Sequence, residues 1–134
     1  MIRRPPRSTQ SRSSAASDVY KRQAFLDINP LAPGHLLVIP RRHERFLWDL
    51  DAASAAGLAS CLPLLTRAVM KATGAAGCNV LQSNGRVSGQ LIEHVHFHIV
   101  PRREGDGLGF RWPARSYAAG EAEAMQHKIL NALT

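Results

Sequence analysis

Cysteine is scarce in this 134-residue chain: Cys61 and Cys78 are the only two, and neither lies in a Cys-x-x-Cys pair. We therefore expect two reduced thiols, which are typical of a cytoplasmic protein. Uninterrupted apolar runs all fall short of the ~18 residues that a membrane span needs, so we expect no membrane partner. The glycine-rich motifs GxGxxG and GxxxxGK[ST] are also absent, which excludes the common phosphate-binding loops.

Acidic residues are also few. Ten Asp and Glu stand against seventeen Lys and Arg, which gives a formal net charge of +7. Taken alone, this charge suggests a nucleic-acid partner. However, residues 1–23 hold six of the basic residues and one acidic residue, whereas residues 24–134 hold eleven and nine. The excess belongs mainly to the first 23 residues, so we expect no nucleic-acid partner.

Residues 1–23 also differ in kind, because they are rich in Arg, Ser and Pro and contain few apolar residues. Such a segment buries too little surface to offset the entropy of ordering it, so we expect it to be disordered. It lacks the apolar region of a secretory signal. It resembles the translation of sequencing-adapter DNA, and we expect it to be foreign to the natural protein; a genuine basic tail is the alternative. The domain would then comprise residues 24–134.

Hydrophobic periodicity and turn residues predict an α+β domain with a mainly antiparallel sheet. Short apolar runs predict strands at residues 24–28, 35–40, 78–82 and 91–100. A helix is expected from a cap at Asp51 or Ser54 to about Thr73, interrupted near Pro63, and a second helix at residues 119–133. Loops are expected at residues 83–89 and, as a flexible one, at residues 105–109.

The predicted last strand contains the most informative residues, His94, His96 and His98. Because alternate side chains of a strand point to opposite faces, the three rings would share one face at intervals of ~6.6 Å. The apolar residues between them would then point into the core. Three imidazoles are costly in a purely structural role, since each buried ring nitrogen needs a partner. The pattern therefore indicates a functional site.

Two chemistries fit this pattern. His-x-His can place two ring nitrogens on one zinc ion, with a third ligand from elsewhere. Alternatively, a neutral imidazole can attack phosphorus and form a covalent phosphohistidine. The only acid near the strand, Glu93, would lie on its opposite face, whereas residues 83–90 offer amides, hydroxyls and backbone N–H groups suited to phosphate oxygens. His35 begins a strand that could lie alongside and orient a nucleophile. These surroundings favour phosphate chemistry.

The segment from Gln90 to Pro101 resembles the signature of the histidine-triad (HIT) family, His-φ-His-φ-His-φ-φ, where φ is apolar. Residues 27–30 (DINP) and 33–40 (PGHLLVIP) resemble the family's upstream block, and the 105–109 loop is similar to that of small bacterial members. The resemblance covers residues 24–134. It implies an antiparallel sheet of about five strands with two helices, paired as a homodimer. The family's N-terminal strands are absent here, so we expect fewer strands.

The resemblance implies a purine nucleotide substrate and hydrolysis at its α-phosphate, by a nucleoside phosphoramidase or a dinucleoside polyphosphate hydrolase. His96 would be the nucleophile that forms a covalent nucleotidyl intermediate. His98 would contact phosphate oxygens, and His94 and His35 would support and orient the nucleophile. The covalent step would need no metal or other cofactor, and Mg²⁺ would accompany only a polyphosphate substrate.

The same resemblance implies a set of substrate-binding residues. Asp27 would bind the ribose hydroxyls, with Phe25 and Ile28 against the base. The phosphate region would be lined by Ser83, Asn84, Gly89 and Gln90. Two positions depart from the family pattern, because Ser83 stands where Asn or Gln is usual and Leu91 where many members have Ser or Thr.

Two other functions stay open at this point. A nucleotide-binding or scaffold protein would bind AMP but would not cleave phosphoramidates or dinucleoside polyphosphates. A His-ligated zinc protein would hold stoichiometric zinc and lose it when His94 or His98 is replaced.

Overall fold

The computed structural model describes residues 23–109 and 111–133. Four strands form one sheet in the order β1-β2-β4-β3, and all neighbours are antiparallel. The strands are β1 (Ala24–Leu26), β2 (Leu36–Val38), β3 (Gly77–Gln82) and β4 (Phe97–Arg102). The helices are α1 (Ala52–Ser60), α2 (Leu62–Thr73) and α3 (Glu121–Ala132), with short 3₁₀ turns at Leu47–Asp49 and Arg86–Ser88. The predicted α+β class with an antiparallel sheet is confirmed.

The helices begin and end for local reasons. Asp51 caps α1, because its Oδ1 accepts a hydrogen bond from the Ser54 backbone N–H at 2.7 Å. The predicted interruption is present, but it falls at Cys61 rather than at Pro63. Proline fits the first turn of a helix, where its missing N–H would have no partner, so Pro63 lies at the start of α2.

The core lies between the sheet and the two consecutive helices α1 and α2. Both Leu58 of α1 and Val69 of α2 are buried, as their helical spacing predicts, and Val95 and Ile99 are fully buried. Burial of each such side chain stabilises the fold by about 1.5–3 kcal/mol. The remaining buried members of the main cluster are Ala24, Leu36, Val38 and Cys61.

Gln23 is the one described residue of the segment predicted to be disordered and foreign; the rest of that prediction lies outside the described residues. Its side chain is buried, and its Oε1 lies 3.1 Å from Sγ of Cys61. Its backbone carbonyl accepts a hydrogen bond from Ile39 N–H at 2.7 Å. Gln23 therefore belongs to the folded core and not to a disordered tail.

The last strand begins later than predicted. Strand pairing on both sides of β4 starts at Phe97, whereas residues 91–96, expected to be part of the strand, precede it. The backbone N–H of Val95 donates instead to the carbonyl of Glu44, at 2.7 Å, in the segment that follows β2. The strand ladder that was expected to orient His94 and His96 therefore begins only after them.

The glycine-rich loop at residues 105–109, expected to be flexible, is anchored by one carboxylate. Asp106 pairs with the Arg102 guanidinium, whose Nε lies 2.7 Å from Oδ2, and accepts the backbone N–H groups of Arg103 and Leu108. The hydrogen bond from Arg102, followed by the backbone bonds, holds the pKa of Asp106 far below its usual range. This loop has a defined shape.

The stretch Ala52–Thr73, which comprises α1 and α2, has the length and composition of a membrane-crossing helix. A search for uninterrupted apolar runs misses it, because polar residues are scattered along it. The core helix of a soluble protein passes the same test, so this stretch is only weak support for a membrane location.

Gly34 provides a test of the packing beside β2. Its φ of +96° is unfavourable for other residues, and an added Cβ would lie 2.5 Å from Cγ2 of Thr73. We expect Gly34→Ala to lower the free energy of unfolding by about 1–3 kcal/mol in urea denaturation. Gly57→Ala is the matched control, because a Cβ there meets nothing within 4 Å. In α1 it should be neutral or stabilising by up to about 1 kcal/mol. Equal effects of the two substitutions would contradict this account.

Candidate active site

Three histidine rings form one hydrogen-bonded row. Nε2 of His35 lies 2.9 Å from Nδ1 of His98, and Nε2 of His98 lies 3.1 Å from Nε2 of His96. The sheet brings the rings together, because His35 immediately precedes β2, and β2 pairs with β4, which carries His98. The prediction that a ring from the start of β2 lies beside the histidine strand is confirmed. We call this row the histidine relay.

Backbone groups at both ends of the histidine relay determine which nitrogen of each ring carries the proton. We call this order the direction of the protons. The Leu31 N–H donates to Nδ1 of His35 at 3.1 Å, so Nε2 of a neutral His35 carries the proton and donates it to His98. At the other end, Nδ1 of His96 lies 2.6 Å from the His94 carbonyl, which can only accept. Nε2 of His96 therefore keeps a lone pair and accepts the bond from His98. An unprotonated imidazole nitrogen is a nucleophile once the hydrogen bond that it accepts from His98 is broken.

Asp27 lies at the other end of the relay from His96. Its Oδ2 is 3.6 Å from Nε2 of His35, and its Oδ1 accepts the Asn29 backbone N–H at 2.8 Å, as in an ordinary turn. The sequence argument counted only Glu93 as a nearby acid. The pairing of β1 with β2 adds Asp27 to the site, whereas Glu93 binds Arg45 outside it at 2.7 Å.

Burial keeps two members of the relay, His98 and His35, uncharged near neutral pH. Desolvation lowers the pKa of His98 to about 4, with further lowering by the neighbouring rings of His96 and His35. Burial also lowers the pKa of His35, although the carboxylate of Asp27 opposes that shift. Neutral rings are what the alternating donors and acceptors of the relay require.

The His94 ring does not lie on the face that the other two rings share. Its Nδ1 lies 2.5 Å from Nδ1 of His43, and the His94 backbone carbonyl, rather than its ring, contacts His96. Burial lowers the pKa of His94, and the adjacent His43 lowers it further. The predicted grouping of three rings on one strand face is therefore wrong for His94, because the ring of His94 binds that of His43 instead.

Two predicted phosphate-binding side chains are occupied by protein partners. The Gln90 side chain is buried; its Oε1 accepts the Gly85 N–H at 2.7 Å and its Nε2 donates to the Arg45 carbonyl at 2.8 Å. Asn84 accepts the Leu47 N–H at 2.7 Å. Both side chains brace the 83–89 loop, and each amide nitrogen has a second N–H that is left for a phosphate oxygen.

The other predicted binding residues differ in exposure. Phe25 and Ser83 are half-buried, and Gly89, with φ of 100°, ends the turn before Gln90. Ile28 is 80% exposed, so it is accessible to a ligand. Leu91 is 90% exposed and therefore lines no apolar core.

One trio of side chains could hold a metal ion. The ligand atoms of Asp27, His35 and His98 all lie within 4.8 Å of one another. Oxygen and imidazole nitrogen donors suit zinc. However, the two imidazoles already bind each other at 2.9 Å, so a metal would have to replace that hydrogen bond.

Sequence reasoning missed the segment of His43, Glu44 and Arg45. Its residues contact the stretch just before β4 by side chain and backbone. The segment has neither strand alternation nor helical periodicity. Its basic side chains are typical of an exposed surface, so only the tertiary structure shows its contact with the stretch before β4.

Comparison with known proteins identifies the family of this chain. Residues 9–105 match the HIT domain. The chain is 44% identical over 107 residues to adenosine 5'-monophosphoramidase of Schizosaccharomyces pombe, covering 79% of this chain and 77% of that protein. It is 43% identical over 92 residues to an adenylylsulfatase of Arabidopsis thaliana, covering 69% of this chain and 45% of that protein.

Solved structures agree as well. A crystal structure of a HIT family protein from Bacillus subtilis superposes with a TM-score of 0.78 at 32% identity, covering 83% of this chain and 81% of that one. The SMU.412c protein of Streptococcus mutans gives a TM-score of 0.79 at 33% identity, with 83% and 71% coverage. The chain belongs to the HIT family, and its fold is the HIT fold.

The low pKa of His98 predicts how stability depends on pH. Its pKa is about 4 in the folded chain and near 6.5 when unfolded, so the unfolded state binds the proton first as pH falls. The stabilisation from a neutral His98 is complete above pH 6.5 and is lost between 6.5 and about 4. Partial solvent access reduces the effect to about 1–3 kcal/mol.

Urea denaturation at several pH values between 7 and 4 checks this prediction. His98→Asn should reduce the slope of the free energy of unfolding against pH. His127→Ala, at an exposed position of α3, should leave this slope unchanged. Identical slopes for the wild type and His98→Asn would contradict the expected burial effect.

Proposed function

We propose that this protein is a nucleoside phosphoramidase that cleaves the bond between nitrogen and the α-phosphorus of a purine nucleotide. The observation that carries the proposal is the histidine relay, which keeps Nε2 of His96 unprotonated, with only a hydrogen bond from His98 to be exchanged for the bond to phosphorus. The phosphoramidase of S. pombe and the adenylylsulfatase of A. thaliana, by their names, share adenylyl chemistry with different leaving groups. Their similarity to this chain supports an adenylyl substrate.

In the first step, Nε2 of His96 attacks the α-phosphorus. A bond forms between this nitrogen and phosphorus, the bond from phosphorus to the substrate nitrogen breaks, and the amine leaves with a proton from solvent. Water then attacks the phosphorus of the nucleotidyl-His96 intermediate, which releases the nucleotide, restores the imidazole and returns the proton to solvent. The covalent intermediate divides one displacement into two easier ones.

The neighbours of His96 suit this reaction. As its ring becomes positive, the hydrogen bond from Nδ1–H to the His94 carbonyl, at 2.6 Å, becomes charge-assisted and therefore stronger. The Nε2–H of His98, which points at His96 in the free protein, is released once that lone pair is used. It can then donate to a phosphate oxygen, where negative charge develops.

The remaining binding roles are part of the same proposal. The Asp27 carboxylate, at the edge of the relay, would bind the ribose hydroxyls, and the half-buried Phe25 and exposed Ile28 would lie against the base. A role for Mg²⁺ with polyphosphate substrates and a cytoplasmic location stay predictions.

Replacement of the nucleophile tests the proposal. His96→Ala should reduce hydrolysis of adenosine 5'-phosphoramidate by at least about 10³-fold, because the covalent route is lost. Release of AMP, separated by chromatography, measures this activity. Wild-type protein quenched during turnover should carry one adenylyl group by mass spectrometry, and His96→Ala should carry none.

His127→Ala is the control for this test, because His127 is an exposed residue of α3. Turnover that persists in His96→Ala would refute the assignment. Wild-type protein that binds AMP but cleaves neither phosphoramidates nor dinucleoside polyphosphates would favour a nucleotide-binding role.

We also propose that the protein forms a homodimer through the outer edge of β3. In the described part of the chain, β3 pairs on one side only, and its Val80 is exposed. An open strand edge with exposed apolar side chains favours pairing with a second strand. The apolar Ala52–Thr73 stretch is also mostly exposed in the single chain, which supports a covering partner.

Sedimentation velocity checks the homodimer. Wild-type protein should sediment as a dimer, whereas Val80→Lys should place like charges near the two-fold axis and shift the equilibrium toward monomer. Val87→Lys is the control, because Val87 is fully exposed and lies outside β3. A monomeric wild type, or dimers of equal strength in both variants, would contradict the proposed edge.

A further inference from the structure

Residues 43–45, which we call the strap, hold the stretch that leads into β4. The Glu44 carbonyl accepts the Val95 N–H at 2.7 Å, and the Arg45 guanidinium binds the Glu93 carboxylate at 2.7 Å. The ring of His43 meets the ring of His94, with centroids 4.6 Å apart. The three residues of the strap thus contact three consecutive residues, 93–95, just before β4.

The strap holds a stretch of backbone that the strand pairing of the sheet does not reach. The ladder of β4 starts at Phe97, so the His94 carbonyl lies outside it. This carbonyl accepts the Nδ1–H of His96 and thereby keeps Nε2 unprotonated. The position of the His94 backbone therefore determines the tautomer and the orientation of the His96 ring. The strap holds this backbone in place.

Within the strap, His43 makes the contact with His94 itself. The two Nδ1 atoms lie 2.5 Å apart, so one proton is held between them. The other ring nitrogen of His94, Nε2, is enclosed and has no hydrogen-bond partner among the described residues. The His43 ring is thus the hydrogen-bonding side chain that orients the His94 ring, beside an interaction of that ring with the Pro40 backbone.

From this geometry we infer that His43 is a positioning residue for the nucleophile. It fixes the His94 ring, and hence the His94 carbonyl, so that His96 is presented as the Nδ1–H tautomer. The inference rests on the proposed function, since the reaction that it serves is the attack of His96 on phosphorus. His43 acts through His94 and has no contact with His96 in the structure.

Three variants of His43 test the inference through kinetics on adenosine 5'-phosphoramidate. His43→Ala should lower kcat by on the order of ten- to a hundredfold, because a small misplacement of the nucleophile is costly, and should change KM little. His43→Asn places an amide nitrogen where Nδ1 was and should restore most of kcat. His43→Gln places its amide farther from the backbone, near the position of Nε2, and should not.

A second readout does not need turnover. Nitrogen-15 NMR of the ring nitrogens should show His96 protonated at Nδ1 in the wild type and in His43→Asn, and a share of the Nε2–H tautomer in His43→Ala and His43→Gln. His127→Ala should match the wild type in both measurements. If the wild type cleaves no phosphoramidate, the proposed function fails, but the tautomer of His96 still decides the role of His43.

Several results would overturn the inference. One is wild-type kcat together with an unchanged His96 tautomer in His43→Ala. Another is equal loss in the Asn and Gln variants with the tautomer unchanged, which would make His43 a merely structural residue. If His43→Ala does not fold, the comparison of Asn with Gln gives the answer.

Discussion

The hydrogen bond from Nδ1 of His96 to the His94 carbonyl is the constraint on which the rest of the site depends. At 2.6 Å it allows only one arrangement of the proton, and that arrangement leaves Nε2 of His96 unprotonated. The rings of His98 and His35 follow the same order: each donates from Nε2 and accepts at Nδ1, and the last acceptor, Nδ1 of His35, binds the Leu31 N–H. The low dielectric that lowers the pKa values of His98 and His35 also makes a break in this row of hydrogen bonds costly.

Two different parts of the fold hold the two ends of this row. His35 and His98 are positioned by the pairing of β2 with β4, whose side chains are among the most buried in the described chain. The His94 carbonyl is positioned by the loop that follows β2, because the ladder has not yet begun there. Thus His96 lies at the junction between a rigid ladder and a loop that is held by side-chain contacts.

The elements could be predicted from sequence because their causes are local. Asp51 caps a helix whatever lies around it, and the helical spacing of Leu58 and Val69 predicts their burial. The start of β4 could not be predicted, because a competing partner, the Glu44 carbonyl, takes the Val95 N–H. His43 was missed for a related reason: its role comes from a residue 51 positions away.

The ends of the histidine relay are main-chain atoms, the N–H of Leu31 and the carbonyl of His94. A substitution changes a side chain but leaves the backbone N–H and carbonyl in place. The direction of the protons is therefore kept as long as the backbone keeps its path. Neighbouring side chains, such as those of Ser83 and Leu91, can then vary without reversing that direction. In the proposed reaction, the protonation of the nucleophile is therefore separable from the choice of leaving group, and evolution can alter the second while it keeps the first.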